Sequence, residues 1–586
     1  MFHPLLILLI GLVTVVGMII VLRMNAFIAL ITAAIFVSLL SPGPVAEKIE
    51  RVARAFGNTA AGIGIVIAMA AVIGKYLMDS GAADRIVRSF LKILGEKRAS
   101  VALMGSGFVL SVPVFFDTVF YLLVPLSRSL WRRTRKNYIL YVTAIGAGAA
   151  ITHTLVPPTP GPLVMADTLG IKIGWMIMIG ALIGLPTAMV GLLVCRVMNR
   201  LMDVPMRPYS GEPEPEPLED DQLPALWVSL LPVILPVILI SANTITEMLA
   251  DREHSDLVRR AVVQRQDEIF DWPDVCASLG KAAEKGPAAA RRLLELLPAG
   301  VRQSLDGAAA AETNEPELQT QVQTAIYDLA AEGTLAGDEV FTSLAISDHA
   351  EKLIARGADK LSPEEVSTLD WHLLEAAFPE HIKNTSLAAV ADITSILGNP
   401  NLALLLSAAI AMLTLVLQRG LTLKELAKTT ETALMSGGVI ILITAGGGAF
   451  GAMLRESGIE SSIKQMAGSD GQGMGLLVLL LGFGVASVMK VAQGSGTVSM
   501  ITTSAMMAAM GVSSSMLGCD LVYLACAIGA GSLAGSWMND SGFWIFARMS
   551  GLTEVEALKT WTILLVILGV TALGFTLLAA WLMPLV

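Results

Sequence analysis

Ionisable and hydrogen-bonding residues set within apolar sequence are where chemistry is to be sought in this chain. Lys490 lies in G-F-G-V-A-S-V-M-K-V-A-Q-G-S-G-T (482–497), so an ammonium opens a bend of glycines and hydroxyl residues. A charge in apolar surroundings is costly and usually faces a cavity or a partner. The backbone N–H groups of Gly494, Ser495, Gly496 and Thr497, with the N-terminus of the helix that follows, add donors to that cation. The cluster suits an anion; the alternative is a lysine whose amine snorkels to a nearby aqueous surface.

A second interruption reads I-T-H-T-L-V-P-P-T-P-G-P (151–162). Its prolines remove backbone donors and impose extended φ, so an arriving helix must break there. His153, which titrates near neutrality, stands at that break with Thr152, Thr154 and Thr159. Together they offer donors and acceptors to a polyhydroxylated solute, or His153 is simply satisfied by a backbone carbonyl. Asp117, after Phe115-Phe116, and Asp540, in S-W-M-N-D-S-G (536–542), occupy two further interruptions. Each carboxylate suits either proton transfer or the capping of the next helix.

The elements that must position these residues are membrane helices. Of the 586 residues 54% are hydrophobic and 15% charged, and the mean hydropathy is +0.67, too apolar for a soluble globule. Apolar segments at about 4–22, 26–40, 58–78, 138–156, 173–199, 224–249, 400–418, 434–454, 519–537 and 560–583 reach or approach the roughly 20 residues a span needs. The expectation is an all-α polytopic protein of the cytoplasmic membrane, with 4–22 as its first span rather than a cleaved signal. Basic clusters at Arg85 to Arg98 and Arg128 to Lys136 are expected in the cytoplasm. Between them, 99–113 and 116–130 are too short to span and suggest a re-entrant hairpin; 474–489 and 497–511 look like a second one.

Matched landmarks recur in order. Gly74 to Gly81 resembles Gly451 to Gly458, Ile145-Gly146-Ala147-Gly148 is echoed by Ile528-Gly529-Ala530-Gly531, and 153–161 by 536–542. This points to a duplication, and paired interruptions in two halves point to a transporter with its site at the repeat interface. The expected organisation is a first repeat (1–208), an acidic proline-rich linker (209–223), a helix (224–249), a soluble helical insert (250–385) and a second repeat (386–586).

Several classes drop out. Cys195, Cys276, Cys519 and Cys526 lack metal-ligand spacing and read as packing residues. His254, His349, His372 and His381 of the insert read as surface histidines, and no metal or cofactor is expected. The glycine runs lack the lysine and hydroxyl ending of a phosphate loop, no catalytic triad or H-E-x-x-H pattern occurs, and no basic face interleaved with aromatics suggests nucleic acid. An enzyme is therefore not expected.

H-T-L-V-P-P-T-P-G-P (153–162), P-V-F-F-D-T-V-F (113–120), G-K-Y-L-M-D-S-G-A-A-D-R-I (74–86), G-G-A-F-G-A-M-L-R-E-S-G-I (447–459) and G-S-G-T-V-S-M-I-T-T (494–503) together resemble the gluconate permease family of gluconate/proton symporters. The resemblance covers about 1–249 and 386–586. It implies proton-driven uptake of gluconate or a related sugar acid, two inverted repeats each with a re-entrant hairpin and an interrupted helix, and a homodimer. On this reading Lys490 and 494–497 meet the substrate carboxylate, His153 and Thr159 its hydroxyls, and Asp117 or Asp540 carries the proton. A carrier of another organic or inorganic anion, or a membrane sensor signalling through the insert, are the rival expectations.

Overall fold

A computed structural model describes the chain except residues 1–2, 23, 114–115, 203, 208–218, 265–268, 286, 308–315, 345–353, 355–362, 384–385, 459–474, 539 and 586. Regular structure among the described residues is helical throughout, with one isolated bridge between Phe270 and Ile382. The chain forms two compact units, Met1–Thr244 with Ile396–Val586, and Ile245–Ser395.

The first unit opens with α1 (Pro4–Ile20), α2 (Ala26–Leu40), α3 (Glu50–Asp79), α4 (Ala82–Leu94), α5 (Ala99–Leu110) and α6 (Phe116–Thr134). It continues through α7 (Tyr138–Leu155), α8 (Pro160–Leu169), α9 (Ile173–Leu201) and α10 (Leu226–Gln264), within which the unit boundary at Thr244 falls. After the second unit come α11 (Pro400–Arg419), α12 (Leu423–Glu456), α13 (Gly475–Gln493) and α14 (Gly496–Ala509). The unit closes with α15 (Leu521–Leu533), α16 (Ser541–Ser550) and α17 (Ile563–Leu582). Among the described residues eight helical segments are long and apolar enough to cross a bilayer, as a multi-pass membrane protein requires.

Helix ends follow local chemistry. Thr422 and Glu425 form a capping box that starts α12 well before its apolar stretch. Pro157 and Pro158 lie between α7 and α8, and Pro160 takes the first position of α8. Helix α13 runs through Lys490 to Gln493, longer than the 474–489 expected, because a cation in the last turn is favoured by the helix dipole. Gly494, at φ +77°, then turns the chain into α14.

The packing is reciprocal. Helix α5 lies on α7 as α13 lies on α15, α7 on α9 as α15 on α17, and α3 packs against α11 and α12 while α12 packs against α2. Across the middle α8 meets α14, α6 meets α16, and α7 meets α15. A Cβ on Gly148 would lie 2.1 Å from the Met104 carbonyl, and one on Gly531 2.3 Å from the Phe483 carbonyl. At both positions backbone approaches backbone, which only glycine allows.

The second unit is a helical body with its own core, including Phe270, Leu279, Leu293, Ile326, Phe341 and Trp371. Helix Pro363–Ala377 is central to it. Trp371 stacks on Phe270 at 5.9 Å between ring centroids and meets Tyr327, tilted, at 5.4 Å, while Asp370 accepts the amides of Leu335 (2.8 Å) and Ala336 (2.7 Å). The expectation of surface histidines fails here. His372 is buried, and His254 and His381 are half-buried, because each lies on a helix or turn packed into this core. His349 lies outside the described residues.

Candidate functional site

Within the first unit, chain interruptions converge on a cavity of about 400 Å³. Four helix ends surround it. The start of α14 contributes Ser495, Gly496 and Thr497, and the start of α16 contributes Asp540, Ser541 and Gly542. Phe116 and Thr118 belong to the start of α6, and Ala150, His153 and Thr154 to the end of α7. Ser436 of α12, Ser532 of α15, Trp561 and Leu565 complete much of the wall. Three of these ends are N-termini, whose unsatisfied N–H groups carry partial positive charge.

Lys490 and Asp540 form the charged centre. Lys490 Nζ lies 2.7 Å from Asp540 Oδ2, with side-chain exposures of 7% and 9%, so the pair is desolvated while still lining the cavity. The ammonium also donates to the Gly494 carbonyl at 3.0 Å. Asp540 Oδ1 accepts the Gly542 amide at 3.0 Å and caps α16. The Ser536 hydroxyl donates to Asp540 Oδ2 and itself accepts from Trp561 Nε1 at 2.9 Å. Trp561 is held between Phe546 (4.8 Å) and Phe116 (5.0 Å). An indole from the last span thus steadies the serine that steadies the carboxylate. Asp540 therefore caps a helix and pairs with a cation at once.

The remaining expected site residues divide. Ser495 caps α14 by accepting the Val498 amide at 3.3 Å, and it lines the cavity with Gly496, Thr497 and His153. Gly494 acts one step back, through its carbonyl on Lys490, and does not line the cavity. Thr159 does not line it either; it is buried, and its hydroxyl donates to the Val156 carbonyl at 2.7 Å. Asp117 is the second residue of α6, and its side chain lies outside the described residues, as does Asn539.

Sequence reasoning missed Ser436, Ser532 and Trp561, single residues on helical segments with no motif around them, and passed over Ser536, although it opens the S-W-M-N-D-S-G interruption (536–542). Only the recurrence of Ile145 to Gly148 at Ile528 to Gly531 places Ser532 near a landmark. The cavity offers one ammonium, one carboxylate, one imidazole, several hydroxyls and three helix N-termini. That set can bind a small anion carrying hydroxyl groups and can exchange a proton, and it holds no arrangement for nucleophilic catalysis among the described residues.

Comparison with known proteins agrees with the site's character. The sequence profile described as GntP family permease matches residues 3–264 and 374–582. A gluconate permease of Pseudomonas aeruginosa is 26% identical over 99% of this chain and 98% of its own length. A low-affinity gluconate transporter of Escherichia coli K12 is 23% identical over 93% of this chain and 91% of its own. An uncharacterised permease of Haemophilus influenzae is 25% identical over 94% and 87% respectively.

Proposed function

This chain belongs to the GntP permease family and is a multi-pass protein of the cytoplasmic membrane, and from that premise we propose that it carries gluconate or a related hydroxylated monocarboxylate into the cell together with protons. The observation that carries the proposal is the buried Lys490–Asp540 pair in a cavity rimmed by helix N-termini and hydroxyls. Two relatives named for gluconate, similar over nearly their whole lengths, support the substrate class.

The pair supplies a reason for coupling. With Asp540 ionised, the ammonium already has its counter-ion, and a substrate carboxylate entering the cavity leaves one buried negative charge in excess. A proton on Asp540 removes that excess and releases Lys490 to the substrate, so proton and monoanion enter as a neutral set. Lys490 has three N–H donors, of which Gly494 and Asp540 take two; the third and the amides of 495–497 and 541 are available to the carboxylate. His153, Thr118, Thr154, Ser436 and Ser532 would then read hydroxyls along the sugar chain. Lys490 is the one Lys or Arg side chain on the cavity wall among the described residues, which favours a monoanion over a dianion. The volume lies within the roughly 300–1,000 Å³ of small-molecule sites.

Reciprocal packing, and Gly148 and Gly531 doing the same work in each half, support two repeats related by pseudo-symmetry. Helices α5 and α14 have 12 and 14 residues, about 18 and 21 Å against a core of roughly 30 Å. Their partners α6 and α13 are longer than the short arms expected, at 19 residues each, and bring Phe116, Thr118 and Lys490 to the same cavity, which supports hairpins meeting near mid-membrane. Alternating access then moves this region against the remaining spans.

The test is equilibrium binding to purified protein in weakly buffered detergent solution. Gluconate should bind with net proton uptake, and Lys490→Ala should abolish binding without loss of folded protein. Binding with no proton uptake, or undiminished in Lys490→Ala, would overturn the assignment.

A further inference from the structure

The second unit brings together three side chains that the transport reading does not use. Glu375 Oε1 lies 2.9 Å from His254 Nε2, and Glu375 Oε2 lies 2.9 Å from His372 Nδ1. The three potential ligand atoms all fall within 4.8 Å of one another. His372 and Glu375 are one turn apart on the face of a single helix, Pro363–Ala377, and His254 comes from the distant α10.

We propose that His254, His372 and Glu375 form a binding site for a divalent transition-metal cation of the zinc type, which fastens the end of α10 to helix Pro363–Ala377. The donor set is two imidazole nitrogens and one carboxylate, which suits zinc and its neighbours; calcium and magnesium prefer oxygen alone. One carboxylate with two neutral imidazoles leaves a net negative charge in a partly desolvated place, and a divalent cation compensates it. Ligand atoms around a tetrahedral zinc with bonds of about 2.0–2.2 Å stand roughly 3.3 Å apart. One carboxylate oxygen serves as ligand, so its 2.9 Å contact opens by about 0.4 Å on the same scale, while the three ligand atoms, already within 4.8 Å of one another, draw in around the ion.

The ligands are held in advance. Trp371, beside His372, is 1% exposed and packed on Phe270 and Tyr327. Leu374, beside Glu375, is likewise 1% exposed. The helix face carrying the donors thus cannot turn away without opening the core. Without metal the carboxylate lies between the two imidazoles, hydrogen-bonded to His372 and paired with His254, and metal binding at those nitrogens leaves each neutral ring with its proton on the other nitrogen. Three protein ligands leave a fourth position for water.

The experiment uses the full-length protein in detergent, stripped with EDTA and titrated with Zn²⁺ against a chromophoric chelator. One tight equivalent per chain is expected. Affinity should fall at least about tenfold, the low end of what perturbing a metal site costs, in His254→Ala, His372→Ala and Glu375→Gln, and stay unchanged in His381→Ala. Zinc-edge X-ray absorption on the unmodified protein, which needs no variant to fold, should count two imidazoles. Absence of a tight equivalent, equal affinity in the three variants, or a zinc shell without two imidazoles would overturn the proposal.

Discussion

Asp540→Asn separates the two jobs assigned to this carboxylate. The amide keeps the shape of the side chain and an oxygen able to accept the Gly542 amide, so the cap on α16 survives. What disappears is the negative charge 2.7 Å from Lys490 Nζ. Removing one partner of a buried ion pair costs about 3–5 kcal/mol because the other charge stays behind unpaired. Empty protein should therefore unfold at lower temperature in the variant. Gluconate supplies the missing anion. If a third of that cost, about 1–1.7 kcal/mol on the same scale, is recovered on binding, affinity rises roughly tenfold at neutral pH. The variant should bind gluconate at least as tightly as the parent, without proton uptake, and exchange labelled for unlabelled gluconate across a vesicle membrane. It should fail to accumulate gluconate against a gradient. Scanning fluorimetry with and without gluconate, calorimetric binding in two buffers and counterflow measure each part. Proton-driven accumulation equal to the parent's, or binding lost altogether, would refute the reasoning.

Other expectations are simpler. Trp561→Phe keeps the aromatic stack but removes the donor to Ser536. It should raise KM by about two- to tenfold, as the loss of one hydrogen bond of ~0.5–1.5 kcal/mol implies. Because Ser536→Ala breaks the same chain, uptake kinetics of the double variant should show clear non-additivity; full additivity would separate the two residues. Gly148→Ala and Gly531→Ala each force a Cβ against a backbone carbonyl at 2.1 or 2.3 Å. Each should destabilise the protein by at least the ~1–3 kcal/mol of ordinary overpacking, seen as a lower unfolding temperature; a neutral result at either would remove its share in the helix contact. Cys195, Cys276, Cys519 and Cys526 are all buried, so a membrane-impermeant maleimide should label the native protein only after unfolding, as mass spectrometry would show.

Much of this arrangement was legible because its signals are local. Prolines between 157 and 162 mark the gap between α7 and α8 whatever surrounds them, and an apolar run of the right length announces a span. The edges were less legible, since α3 begins at Glu50 rather than near 58 and α12 at Leu423 rather than 434. Their first turns are polar, that of α12 being capped by Thr422, and hydropathy sees only the stretch that meets lipid. Lys490 stood out for being charged among apolar residues, and so did Asp540. Their partnership joins residues 50 positions apart, and no spacing rule reports it. Thr159 shows the reverse case, for a hydroxyl beside a broken helix looks available, while the fold gives it a bond to the Val156 carbonyl. In the second unit the i, i+3 spacing of His372 and Glu375 was visible, but nothing in the sequence brings His254 to them.

Labelled gluconate uptake into proteoliposomes under an inward proton gradient, with and without a protonophore, tests the central claim most directly. Accumulation above equilibrium that collapses with the protonophore, and that Asp540→Asn lacks, is the predicted result. Accumulation indifferent to the protonophore, or no gluconate movement by folded protein, would contradict it.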